Sequence, residues 1–248
     1  MALGELYQPT GLALETAKVV LEVEDPWACN VALGCTNGCP TCYGPKAFFK
    51  KDWTKVKVPK EPPVELVCRQ LKKGLKPQGV FMSFGTDPFL PMNLMNTYVL
   101  GDFLNKNFVK VAVLSKIGMI LEGKPYRHGM SIVSNSLDHW KVEEPRASKP
   151  HTRILVLEAQ HAAGQFTWVS MEPYPPPAVF KQNILEVLES IKFVDFIIFG
   201  MLNYDKRATT PDAREAYKAN IHDFEDFCKS NDIRHHVKSD TMAFIREE

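Results

Sequence analysis

Short β-branched apolar runs alternate along this chain with longer amphipathic stretches, the pattern of repeated β-α units around a parallel sheet. The apolar runs predict strands over residues 27–33, 79–84, 108–115, 130–134, 166–171 and 194–200. Helical periodicity covers 64–75, 94–105, 152–163 and 178–191, with Pro62-Pro63 and Pro176-Pro177 where the first and last of these would begin. A further helix is expected from about 212 to 228, where Ala216, Ala219, Phe224 and Phe227 recur at roughly helical spacing. The tail, 233–245, reads as a short strand. Six strands with intervening helices point to α/β architecture, an incomplete (β/α)6 version of the eight-unit barrel. Such barrels carry their chemistry on loops at the carboxyl ends of the strands. Residues 44–63 and 118–127 are poorest in regular structure, yet strand-like segments resume on both sides of each. No repeat appears at a period of 20–50 residues. The expectation is one domain over 1–248, with a core over about 25–205 and a carboxy-terminal helix and tail over about 211–248.

Composition narrows the function without naming it. The 248 residues are 45% hydrophobic and 24% charged, ordinary for a soluble domain able to bury a sizeable core. Thirty basic against twenty-nine acidic residues leave a net charge of +1, which argues against a purely electrostatic coating of nucleic acid. Residues 1–11 lack the basic and apolar regions of a secretory signal. No apolar run approaches the ~20 residues that cross a bilayer, and 193–202 reads as a buried strand. A cytoplasmic protein without a membrane partner is expected.

Cysteine placement is more informative. Four of the six cysteines, Cys29, Cys35, Cys39 and Cys42, fall within fourteen positions, and Cys68 and Cys228 stand apart. In a reducing compartment a tight cluster points to a metal site rather than a disulfide framework. Directly after the first predicted strand the chain reads Gly34-Cys35-Thr36-Asn37-Gly38-Cys39-Pro40-Thr41-Cys42-Tyr43. Three thiolates spaced C-x3-C-x2-C can hold three corners of a 4Fe–4S cluster and leave one iron open. Glycine suits a loop that wraps closely around such a group. Structural zinc with Cys29 as fourth ligand competes with this reading, although Cys29 lies inside an apolar strand and zinc knuckles space their cysteines two to four apart. A bland reading makes the cysteines buried small residues.

With that loop the sequence resembles the radical S-adenosylmethionine (SAM) enzymes, and within them the branch around spore photoproduct lyase, also called DNA repair photolyase-like. The resemblance runs from about residue 25 to about 205. It rests on the cysteine loop and on Gly85-Thr86-Asp87-Pro88-Phe89-Leu90-Pro91, Ser115-Lys116, Ser134-Asn135-Ser136-Leu137-Asp138, Glu143-Glu144-Pro145-Arg146-Ala147 and Ser170-Met171-Glu172-Pro173, in that order. It implies a radical SAM partial barrel in which Cys35, Cys39 and Cys42 bind the cluster. SAM would bind the open iron through its amino and carboxylate groups. One electron from a flavodoxin- or ferredoxin-like reductant would break the sulfonium C–S bond, and the 5′-deoxyadenosyl radical would abstract hydrogen from substrate, the cofactor carrying the chemistry.

Strand-end residues then acquire candidate roles in holding the cofactor. Tyr43 follows the last cluster cysteine. Thr86 and Asp87 could support the methionine ammonium, or simply form a turn. Lys116 could pair with the methionine carboxylate, or be an ordinary solvated lysine. Ser134 and Asn135 could bond the ribose or carboxylate, while Asp138 could equally start a turn. Glu172 ends a strand that should otherwise be buried and needs a partner, with a salt bridge to Arg146 or Lys116 as the structural alternative. Photoproduct lyases carry a hydrogen-donating cysteine where Phe84 stands here, so photoproduct reversal is not part of the expectation.

Outside the loop, Cys68, Cys228 and Cys29 read as packing residues. Residues 46–60 carry six lysines against one aspartate, interleaved with Phe48, Phe49 and Trp53. Lysines on phosphates with aromatics stacking bases describe a single-strand binding mode; a solvated loop with its aromatics on the barrel is the alternative. His235-His236 would lie on opposite faces of a strand. The leading expectation is a radical SAM enzyme acting on a large substrate, with nucleic acid the favoured class and a substrate or partner protein closing the open side. A protein- or RNA-modifying radical SAM enzyme and a zinc-binding interaction module are the alternatives.

Overall fold

A computed structural model describes residues 3–120, 123 and 125–246. The first and last two residues, and Leu121, Glu122 and Lys124 within the segment expected to be irregular, lie outside the described residues. The chain runs β1 (Leu6–Tyr7), α1 (Gly11–Leu21), β2 (Trp27–Cys29), α2 (Gly44–Ala47), α3 (Pro63–Lys72), β3 (Gly79–Met82), α4 (Pro91–Lys106) and β4 (Lys110–Ser115). It continues through β5 (Tyr126–Ser131), α5 (Leu137–Glu143), α6 (Pro150–Ala162), β6 (Thr167–Tyr174), α7 (Ile184–Glu189), β7 (Phe196–Met201), α8 (Pro211–Ser230), β8 (Arg234–Val237) and α9 (Ser239–Arg246).

One eight-stranded sheet follows the order β1 to β8, antiparallel between β1 and β2 and parallel from β2 onward. It is an open, partial barrel. The six expected strands correspond to β2–β7, and β1 and β8 extend the sheet at its edges. No helix among the described residues is long and apolar enough to cross a membrane.

Alternation along the strands sends residues to opposite faces. Val80, Met82, Val111, Val113 and Tyr126 pack under α3 and α4, while Val169, Met171, Ile197 and Phe199 pack under α6, α7 and α8. The concave face carries Phe81, Ala112, Trp168, Phe196 and Ile198, and is filled by Ala17, Val20 and Leu21 of α1. That helix closes the concave face toward the amino ends of the strands, so the carboxyl ends form the open mouth.

Several local expectations differ from the structure. The tail, expected as a strand over 233–245, is one only over Arg234–Val237 and becomes helical from Ser239, and β2 ends at Cys29 rather than at 33. β5 begins four residues earlier than expected, because Tyr126 and Met130 are separated by Arg127, His128 and Gly129, which hide the apolar alternation. Residues 175–183 are largely irregular and α7 is confined to Ile184–Glu189. The whole of α1 is new, since Leu12, Leu14 and Val19 spread apolar character around the helix and leave no one-sided stripe.

Candidate functional site

The cysteine loop leaves β2 at the mouth and is pinned by its backbone. Gly34 N donates to Gly85 O and Cys35 N to Trp53 O, each at 2.9 Å. Leu33 and Lys57 exchange two bonds of 2.8 Å. Gly34 has φ +106°, and a Cβ there would meet Trp53 O at 2.7 Å and Lys55 O at 2.8 Å, so only glycine fits. Gly44 lies flat against the Trp53 indole, where a Cβ would come within 2.2 Å. Residues 44–57 therefore fold back as a strap over the loop. Phe48 stacks on the buried Trp53, whereas Phe49 projects outward, 95% exposed.

Cys35, Cys39 and Cys42 are half-buried and not disulfide-bonded. Burial pushes the Cys35 thiol up to about 12 and Cys39 up to about 11, with the Lys116 charge drawing Cys39 back. Among the described residues no three His, Cys, Asp or Glu side chains converge on one point in a metal-holding group. The donor chemistry nevertheless fits a 4Fe–4S cluster with one open iron: three soft thiols on one glycine-bounded loop, with no fourth thiol within reach. Cys29 points to the opposite face of the sheet, in the core beneath α3 and α4. A four-cysteine zinc site using Cys29 is thereby denied its fourth ligand.

Thr86 and Asp87, after β3, are both buried and both tie the cysteine loop to its neighbours. Thr86 Oγ1 donates to Gly34 O at 2.6 Å and accepts from Asn93 Nδ2 at 2.9 Å. Asp87 Oδ1 accepts from Ser115 Oγ at 2.7 Å and Phe89 N at 3.0 Å; Oδ2 accepts from Lys116 N at 2.8 Å and Asn37 Nδ2 at 3.3 Å. Through Asn37, one carboxylate links the cysteine loop to the exit of β4. Tyr43, 45% exposed, donates from its hydroxyl to Phe84 O at 2.6 Å.

Lys116 is not an ordinary solvated lysine. Its ammonium bonds Glu144 Oε1, and Glu144 Oε2 in turn accepts from Arg153 Nη2. Glu144 is only 3% exposed and Arg153 1%. Burial would raise the Glu144 pKa, but the two cations win and hold it at about 2. Two residues further on, Arg146 Nη1 donates to Thr36 O of the cysteine loop at 3.4 Å.

Across the mouth, Glu172 projects from β6 with Lys238 Nζ at 3.8 Å. The structure thus supplies a cation for Glu172, but neither Arg146 nor Lys116. Lys238, 2% exposed, is anchored on α1 by Leu12 O at 2.9 Å and Thr16 Oγ1 at 2.6 Å. Ser134 is buried and accepts from Ser136 N at 3.1 Å. Asn135 is exposed and turned outward to α7, where Nδ2 donates to Glu186 O at 3.3 Å, away from the cysteine loop. The sequence pattern assigns no role to Asn37, Glu144, Arg153 or Lys238. Asn37 and Glu144 lie inside motifs of the cysteine loop and of 143–147, while nothing local marks Arg153 or Lys238.

No family model matches the chain. An uncharacterised protein, ORF301, of Acidianus two-tailed virus is 25% identical over 206 residues, covering 75% of this chain and 68% of that one. Among solved structures, a spore photoproduct lyase variant bound to SAM and a dinucleoside spore photoproduct superposes with a TM-score of 0.59. It is 13% identical, with 86% of this chain and 76% of that chain covered. The chain has a spore photoproduct lyase-like fold. SuiB of Streptococcus suis bound to SAM is also similar, at a TM-score of 0.58 and 10% identity, over 91% of this chain and 54% of that one.

Proposed function

We propose that this chain is a radical SAM enzyme acting on a macromolecular substrate. The observation that carries the reading is the C-x3-C-x2-C loop seated at the carboxyl mouth of a spore photoproduct lyase-like partial barrel, the end at which such folds place their chemistry. Cys35, Cys39 and Cys42 would hold a 4Fe–4S cluster. Together with bound SAM that group supplies one-electron cleavage of the sulfonium C–S bond and a 5′-deoxyadenosyl radical. Everything else at the mouth positions and shields. Thr86 and Asp87 fix the loop from behind, and the Trp53 strap limits its contact with water. Lys116 offers an ammonium to the methionine carboxylate. Tyr43, Ser134 and Glu172 line the way in, and Asn135 marks its outer rim. A flavodoxin- or ferredoxin-like protein would deliver the electron.

Nucleic acid is the favoured substrate class. Lys46, Lys51, Lys55 and Lys57 on the strap, with Lys60 just beyond it, are exposed beside the exposed Phe49, a combination suited to phosphates and a stacked base. Lys46 also bridges to Tyr204, donating to its carbonyl at 3.0 Å and lying 4.7 Å from its ring centre, which extends the basic–aromatic rim toward β7. Phe84 occupies the position of the hydrogen-donating cysteine in photoproduct lyases, so the proposal does not include photoproduct reversal. The open side of the barrel leaves room for a large substrate or a partner protein.

Anaerobic reconstitution with iron and sulfide tests the cluster ligands. The wild-type protein is expected to turn brown, with a reduced-cluster spin-resonance signal that changes on adding SAM. Cys39→Ala should show neither. A brown, SAM-responsive Cys39→Ala protein would remove this cysteine from the ligand set.

A further inference from the structure

Behind the cysteine loop, Lys116, Glu144 and Arg153 form an unbroken chain of charge. Arg153 comes from α6 and is fixed at both ends of its guanidinium, Nη1 on Ser131 O and Nη2 on Glu144. Glu144 caps the carboxyl end of α5 and sits on a tightly bonded turn: Ala147 N donates to Glu144 O, Trp140 Nε1 to Ala147 O and Ser148 N to Lys116 O, each at 3.0 Å. Lys116 is the only member that reaches solvent, with 21% of its side chain exposed. Glu144 is its ammonium's only acceptor among the described residues, which leaves two of its three N–H groups for a ligand. Its charge acts on both Cys39 and Cys42.

Stability is a poor explanation for this arrangement. Burying a triad of charges costs desolvation that apolar residues of similar size would avoid. A plain Lys–Glu pair would also be neutral, and a carboxylate arriving at the mouth would feel almost no net attraction. Two cations around one anion leave a single positive charge, and its exposed end is the Lys116 ammonium. We propose that Arg153 is a charge-balancing positioning residue: by neutralising Glu144 it frees the charge of Lys116 for the carboxylate of bound SAM. The inference rests on the reading that the cysteine loop and its rim bind SAM, and it adds what sets the affinity of that rim for the carboxylate.

The test compares SAM with decarboxylated SAM, the same molecule without its carboxylate, by equilibrium dialysis against the reconstituted protein. The ratio of the two affinities reads the carboxylate alone. Arg153→Met makes the triad neutral and should lower that ratio about tenfold, as expected for losing one nearby charge at a partly exposed site. Glu144→Gln raises the local charge and should keep or increase the ratio. The double variant Glu144→Gln/Arg153→Met returns the charge to that of the wild type and should restore the ratio, which a merely structural role for Arg153 could not do. If Arg153→Met fails to fold, Glu144→Gln and the double variant still carry the ordering. A wild-type protein that binds SAM with no preference over the decarboxylated form would overturn the inference, as would a double variant with a low ratio. A reconstituted wild-type protein that binds neither compound would instead refute the radical SAM reading, and the inference with it.

Discussion

His128 lies at the centre of β5 with no exposed surface, and neither ring nitrogen has a hydrogen-bond partner among the described residues. Its nearest aromatic neighbour is Phe89, 5.6 Å away between ring centres. Burial alone lowers its pKa from 6.5 to about 4. Between those values the unfolded chain binds the proton and the folded one does not, so stability is whole above pH 6.5 and drains away as pH falls toward 4. The loss should reach on the order of 3 kcal/mol at pH 4. Urea denaturation at pH 7.5, 5.5 and 4.5 reads it, and His128→Leu should flatten that part of the profile; an unchanged slope would clear His128 of the effect. At this scale the sequence spoke unevenly. The three cysteines announced themselves by spacing, and Thr86, Asp87, Lys116 and Glu172 by standing at strand ends. Their partners were silent: Arg153 is one polar residue on an amphipathic helix, and Lys238 a lysine in a short tail. Only the fold brings them to the mouth. Thr86 works on a backbone carbonyl of the loop and Asp87 on the Asn37 side chain, which no residue pattern distinguishes from contact with a ligand.

Among elements, the tie between α1 and the β8–α9 tail is the least expected. Both were faint in sequence, α1 for want of a one-sided stripe and β8 because Arg234-His235-His236 is polar. The histidines do face opposite ways as their adjacency implies: His235 meets the Phe224 ring on the outer side, and His236 bonds Glu15 of α1 at 2.6 Å. Ser239 adds two bonds to Glu15, at 2.8 and 2.6 Å, and Lys238 completes the seam through Leu12, Thr16 and Glu172. Lys238→Met should therefore cost about 2 kcal/mol of stability, from two lost charge-assisted hydrogen bonds and a carboxylate left without its cation. Chemical denaturation at pH 7 measures the change. A loss below a few tenths would mean that the Lys238 bonds do not hold α1 in the barrel.

For the molecule as a whole, the mouth is assembled from opposite ends of the chain. The cysteine loop and its strap form one side, the Lys116–Glu144–Arg153 chain backs it, and Glu172 faces it on a support from the tail. The β-α alternation made the open barrel and its working end legible, because each unit repeats one local pattern. Closure of the concave face by α1 was not legible, since it depends on contacts with strands distant in sequence, from Phe81 to Ile198, and on a seam with a tail more than 200 residues away. This architecture serves radical chemistry only if the loop carries a cluster that reduces SAM. The most direct measurement is made on anaerobically reconstituted protein, supplied with dithionite and SAM and assayed for 5′-deoxyadenosine. Formation of 5′-deoxyadenosine, dependent on both the reductant and the three loop cysteines, is the predicted result. A colourless protein that holds zinc in stoichiometric amount and releases none would contradict it.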